Sequence, residues 1–208
     1  MPDNFDPSPL SNSDPAQPSE GKQRPKSNPN PWVEAAQTLG LSLLLAFGIR
    51  TFVAEARYIP SGSMLPTLEI NDRLVIEKIS YHFNPPKRGD IVVFWPPEEV
   101  QPSSDRRDAF IKRVVGLPGE EVAVSDGKVY INGVALEESY IRAAPDYTIE
   151  PGVVPEGQYL VLGDNRNNSH DSSKWKLDEG EWGFVPKENL IGRAVVRFWP
   201  PNRVGGLD

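Results

Sequence analysis

From Ala35 to Ile49 the chain runs AAQTLGLSLLLAFGI without a charge, and the apolar stretch continues past Arg50 through Thr51, Phe52 and Val53. Such a segment has three fates: it crosses a bilayer, it is buried as a core helix, or it is the apolar region of a cleaved signal peptide. Crossing takes roughly 20 mostly apolar residues, a length reached if Trp32 anchors one interface and Arg50 snorkels toward the other. A signal peptide would find its small-x-small cleavage site in Ala54-Glu55-Ala56. What precedes the segment is unlike a short positive leader, because residues 1–31 hold 8 of the chain's 22 prolines among Ser, Asn, Asp and Gln. With few large apolar groups, that stretch cannot offset the entropy of ordering itself. The expected organisation is a disordered tail over 1–31, a transmembrane helix over 32–56 and a folded domain over 57–208. Flanking cations, Lys22, Arg24 and Lys26 against Arg50 and Arg57, orient the helix only weakly.

A chain of 208 residues has room for one domain with appendages. Its lack of cysteine removes disulfide scaffolds, thiol nucleophiles and thiolate metal sites. Twenty-two Lys and Arg against 29 Asp and Glu give a net charge of −7, which opposes a phosphate-neutralising groove and makes nucleic acid an unexpected partner. With only His82 and His170, there is little room for a multi-histidine metal centre.

Beyond Arg57 short apolar runs alternate with turn signals, so the domain reads as mainly β. Strands are expected over Arg73–Glu77, Asp90–Trp95, Phe110–Val115, Val122–Val124, Lys128–Ile131, Tyr159–Leu162 and Arg193–Trp199. Asp126-Gly127 and Asn132-Gly133 tolerate positive φ and are expected to be tight hairpin turns.

Three stretches stand apart from this framework. In PSGSMLPTL, Pro60 to Leu68, two serines flank a glycine, yet a serine needs a base within hydrogen-bond reach to become a nucleophile. A plain Ser/Pro/Gly turn linking helix to sheet is the alternative. In DAFIKRVVGLPGE, Asp108 to Glu120, strand alternation sends Phe110, Lys112 and Val114 one way and Ile111, Arg113 and Val115 the other. A lysine among Phe and Val loses hydration, which lowers its pKa and suits it to act as a general base, unless it snorkels from an edge. Arg113 stays protonated and suits a carboxylate partner. In GDNRNNSHDS, Gly163 to Ser172, a polar loop hydrogen-bonds its own backbone. Two further readings of that loop stay open: a calcium loop, poor in acids, and a histidine triad of Ser61 or Ser63 with His170 and Asp171.

Together these stretches resemble bacterial type I signal peptidases, membrane-anchored serine proteases with a Ser-Lys dyad. The resemblance runs from about Trp32 through Trp199. It includes GDIVVFWP (Gly89–Pro96), IKRVVGLPGE (Ile111–Glu120), and WGFVP with LIGRA (Trp182–Ala194), in the family's order.

The resemblance implies an antiparallel β catalytic domain with one N-terminal transmembrane helix, Ser63 as nucleophile and Lys112 as general base. It implies that Ser61 and the Ser63 amide hold the oxyanion, that Ser169 bonds and orients the Lys112 amine, and that Arg113 pairs with Asp164, with Asp171 also structural. Ile59, Pro60, Met64, Leu68, Phe110 and Ile111 would bind substrate, accepting small side chains before the cut. No cofactor and no metal are expected. The implied partners are signal peptides of exported preproteins and membrane lipid, with Trp95, Trp175, Trp182 and Trp199 either facing lipid or packed in the core. The implied location is a cell membrane, the N-terminus cytoplasmic and the catalytic domain outside. Three departures are visible. Asn167 stands where relatives often carry aspartate, no arginine occupies the place of Ser173, and the run Ser173–Glu181 is long. Arg166 or Lys174 would then substitute as the partner of Asp171. A self-cleaving Ser-Lys repressor-type protease fits poorly, lacking a DNA-binding helix pair, and a tethered β domain that only binds partners is the non-enzymatic alternative.

Overall fold

The structure, a computed structural model, describes residues 30–100, 108–175 and 182–207. Most of the expected tail and the end of the long run before Trp182 lie outside them. Asn30 opens the helix by accepting the Trp32 amide on its side chain at 3.1 Å, and Pro31 fills the first position, where its missing N–H is no loss. Helix α1, Pro31–Gly48, passes into a π-helical turn, Ile49–Val53, and the 23 residues Pro31–Val53 are long and apolar enough to cross a membrane. None of the helix residues is buried, unlike a core helix.

The helix ends earlier than the expected residue 56. Ala54–Tyr58 is already strand β1, with Glu55 paired to Lys78 at 2.6 Å and also to Arg57. A charged residue with two cationic partners is better served at a sheet edge than in an apolar helix. There follow β2 (Arg73–Glu77), a single turn α2 (Ser80–Phe83), β3 (Ile91–Phe94), β4 (Phe110–Gly116), β5 (Glu121–Ser125) and β6 (Lys128–Ile131). Then come β7 (Val134–Ala135), β8 (Ile149–Val153), β9 (Gln158–Leu162), β10 (Val185–Pro186), β11 (Leu190–Trp199) and β12 (Gly205–Gly206). The larger sheet is ordered β1-β2-β11-β3-β4-β9-β10 with β12 on β11, and the smaller is β7-β6-β5-β8, every pair antiparallel. The mainly β architecture with one N-terminal apolar helix is as the sequence predicts. Both hairpin turns form as well, with φ of 49° and 72° at Asp126 and Gly127 and 49° and 76° at Asn132 and Gly133.

The site lies at the centre of the large sheet, where both faces are covered. In β3, Ile91 and Val93 enter one core with Met64, Leu68, Leu74 and Ile76, while Val92 and Phe94 enter another with Val161 and Trp175. That two-sided burial is why IVVF reads as a continuous apolar run rather than an alternating one. Pairing of Val92 with Lys112 and Ile91 with Arg113 then carries the two cations of β4 into the same dry layers. Leu160 and Leu162 of β9 face a third core, where the small sheet contributes Val122, Val124 and Val129 beneath Trp182.

Candidate active site

Lys112 is 5% exposed, and its Nζ lies 3.0 Å from Ser63 Oγ and 2.9 Å from the Ile111 carbonyl. Burial pushes its pKa from the ordinary 10.5 down to about 8, against an opposing pull from the Asp171 and Asp164 carboxylates. Desolvation penalises the ammonium more than those carboxylates favour it. Near neutral pH a minor fraction of the amine is therefore neutral, and it stands within hydrogen-bond reach of a hydroxyl. Such a pair can generate an alkoxide without histidine.

The serine loop holds its shape through its neighbours. Asn165 donates its amide N–H to the Ser63 carbonyl at 3.0 Å and its side-chain NH2 to the Gly62 carbonyl at 2.9 Å. Next to it, Asp164 accepts from Arg113 Nε at 2.9 Å and Nη2 at 2.7 Å, and also from the Thr67 hydroxyl. Two consecutive residues thus tie the serine loop to the lysine strand. Gly163 permits the approach, since a Cβ there would meet Ser169 Oγ at 2.2 Å and the Ser63 carbonyl at 2.5 Å. Asn165 and Thr67 are absent from the sequence-level site, and nothing in a loop crowded with Asn and Asp marks one amide as the bridge.

The other site residues fall as follows. Ser61 Oγ is 3.5 Å from Ser63 Oγ, on the side open to solvent. Arg113 makes the expected pair with Asp164 and also donates to the Gly89 carbonyl at 2.8 Å. Ser169 departs from expectation. Its hydroxyl is buried and makes no hydrogen bond, to Lys112 or to any other described group. Asp171 takes neither suggested cation, because Arg166 is committed to Glu138 at 2.6 and 2.7 Å. Instead it accepts from the Gly163 amide at 2.8 Å and from the Ser173 amide and hydroxyl at 3.1 and 2.7 Å, so Ser173 itself fills the missing arginine's place. With Asp171 turned inward, His170 sits at the rim, its ring 6.2 Å from Phe110 and 6.1 Å from Trp175. No hydrogen bond joins it to Ser63 among the described residues, which leaves the triad without its base. The carboxylates of Asp164 and Asp171 are fully engaged, which disfavours a calcium loop.

A groove of about 690 Å³ opens over the pair. Ile59, Pro60 and Ser61 form one wall and Phe110, Ile111 and Lys112 the other, with Asn168 and His170 at the rim. Met64 and Leu68 do not line it. Both are 0% exposed, packed beneath the groove against Leu74 and Ile76, so they support its floor. Trp175 and Trp182 are core residues, while Trp95 and Trp199 remain exposed.

A β-sheet scaffold carrying a serine beside a buried lysine of lowered pKa in an extended groove defines a serine peptidase. The model of the family "Signal peptidase, peptidase S26" matches residues 32–199, and the chain belongs to that family. A signal peptidase I from Leptolyngbya laminosa is 60% identical over 96% of this chain and 94% of its own length. A probable signal peptidase I-2 from Synechocystis sp. is 58% identical over 89% of this chain and 82% of its own. A probable chloroplastic thylakoidal processing peptidase 2 from Arabidopsis thaliana is 42% identical over 84% of this chain and 46% of its own.

Proposed function

We propose that the chain removes signal peptides from preproteins by a Ser63–Lys112 dyad. The neutral Lys112 amine takes the Ser63 proton as Oγ attacks the scissile carbonyl, then returns it to the leaving amine; water, activated the same way, hydrolyses the acyl-enzyme. The Ser63 amide and the Ser61 hydroxyl hold the oxyanion, a contact for which removal of one donor costs about 3 kcal/mol in serine proteases. Ser169 turns its free hydroxyl to the amine once substrate is bound. The 3.0 Å approach of a desolvated amine to the serine hydroxyl carries this reading.

An extended signal peptide adds as a strand between residues 59–61 and 108–112, its alternate side chains facing Ile59, Pro60, Phe110 and Ile111. The buried Met64 and Leu68 keep that floor shallow, which selects small residues before the cut. The residues before helix α1 form a cytoplasmic tail, the apolar helix spans the membrane once, and the domain works on the far side against lipid, with neither metal nor cofactor. Purified full-length chain is incubated with a preprotein from pH 6 to 10, with fragments read by mass spectrometry. Cleavage after a small-x-small site, insensitive to chelator, with rate rising tenfold per pH unit to a plateau above about 8, supports the reading. Full activity of Ser63→Ala or Lys112→Met would refute it.

A further inference from the structure

Between β7 and β8 the chain makes a long connection, residues 136–148, without helix or strand. Connections of this length with no structure of their own are uncommon unless they serve the site. This one lies across the Gly163–Ser172 loop and grips it at successive points. Glu138 receives both Nη groups of Arg166, an ion pair 4% and 0% exposed, and Arg166 Nε donates to the Gly163 carbonyl at 3.0 Å. The Arg142 amide donates to the Asp164 carbonyl at 3.2 Å. Tyr140 bridges the two layers: its hydroxyl donates to Glu138 at 2.7 Å, while its ring covers the Arg113 guanidinium, 4.0 Å from Cζ to centroid. Asn167 closes the far end, accepting the Asp146 amide and donating to the Ala144 carbonyl, both at 3.0 Å. A carboxylate accepts but cannot donate, so the asparagine that departs from the family's habit is the residue this contact requires.

We propose that residues 136–148 form a strap that positions the dyad, with Glu138 and Tyr140 acting through Arg166 and Arg113 on the loop that holds Ser63. The proposal rests on the dyad reading above. Tyr140 and Glu138 touch neither Ser63 nor Lys112. Their effect passes through Gly163, Asp164 and Asn165, which fix the serine carbonyl and the arginine beside the lysine. A misplacement of about 1 Å at such a remove costs up to roughly 100-fold in rate.

The test compares Tyr140→Leu, Tyr140→Phe, Glu138→Gln and Asn167→Asp with the full-length parent, measuring kcat, KM, melting temperature and the pH midpoint of kcat. Expected is a 10- to 100-fold fall in kcat for Tyr140→Leu with KM near the parent's, and a smaller fall for Tyr140→Phe, which keeps the ring over Arg113. The pH midpoint should move upward, because a loosened Arg113 leaves Asp164 less neutralised and admits water to Lys112, and both effects favour the ammonium. Should Tyr140→Leu or Glu138→Gln fail to fold, the milder Tyr140→Phe and Asn167→Asp decide. Folded variants with parental kcat and pH midpoint would overturn the strap and leave the dyad untouched. Loss of the dyad reading shows separately, as an active Lys112→Met.

Discussion

A lysine enclosed among Phe110, Val92 and Val114 keeps little of its hydration, and that cost has a sign that depends on pH. Above its ordinary 10.5 the amine is neutral in folded and unfolded chains alike, and burial costs nothing. As pH falls from 10.5 toward 8, the unfolded chain takes up the proton while the folded one resists, so the native state loses stability. Below about 8 the full penalty of about 3 kcal/mol applies. Lys112→Met, similar in size and uncharged, should accordingly be more stable than the parent at pH 6. That gain should shrink to nothing near pH 10.5, as measured by urea unfolding across the range. A gain independent of pH would mean that the ammonium is not destabilised in the fold.

At the scale of elements, β4 carries two cations to opposite fates. Among the described residues Lys112 has no ion-pair partner, whereas Arg113 is held by Asp164, Gly89 and the Tyr140 ring. Removing one side of a buried pair leaves the other charge uncompensated. Asp164→Asn should therefore lower stability by about 3–5 kcal/mol in thermal unfolding. An unchanged melt would show that the pair does not brace the serine loop to β4. The sequence disclosed this division because period-2 alternation separates neighbours in a strand, and because a guanidinium cannot be neutralised. Short apolar runs between turn signals disclosed seven strands, β2 to β6, β9 and β11. The short β7, β10 and β12 escaped, being two residues each, as did β8, whose IEPGV carries both a proline and a glycine, and β1, whose Ala54 and Ala56 read as a continuation of the apolar helix. Long-range hydrogen bonds were equally hidden: which of several loop asparagines reaches Gly62, or that Ser169 stays unpaired while Ser173 serves Asp171, depends on how the loop folds in space. Met64 and Leu68 were placed at the groove by resemblance, but depth beneath a surface is not encoded in spacing.

For the molecule as a whole, the apolar helix and the charged strand that follows it make a sharp change of environment. Leu39, Leu41, Leu44 and Phe47 are all exposed, whereas Glu55, eight residues after Phe47, forms an ion-pair cluster with Arg57 and Lys78. A run of side chains so apolar is stable in lipid, and the cluster suits the aqueous boundary. The full chain should stay in the membrane pellet after alkaline carbonate washing. Release into the supernatant would contradict a spanning helix. The same boundary bears on Ala54-Glu55-Ala56, which has the form of a cleavage signal but is paired with Glu77, Ile76 and Val75 in β2. It can present itself as an extended substrate only after that strand peels away. The proposed dyad rests on the burial of one amine beside one hydroxyl, and that amine can be watched directly. NMR titration of the Lys112 side chain, labelled at Cε and assigned by its loss in Lys112→Arg, should give a midpoint near 8. A midpoint at the ordinary 10.5 would mean that the amine is charged at working pH and cannot be the base.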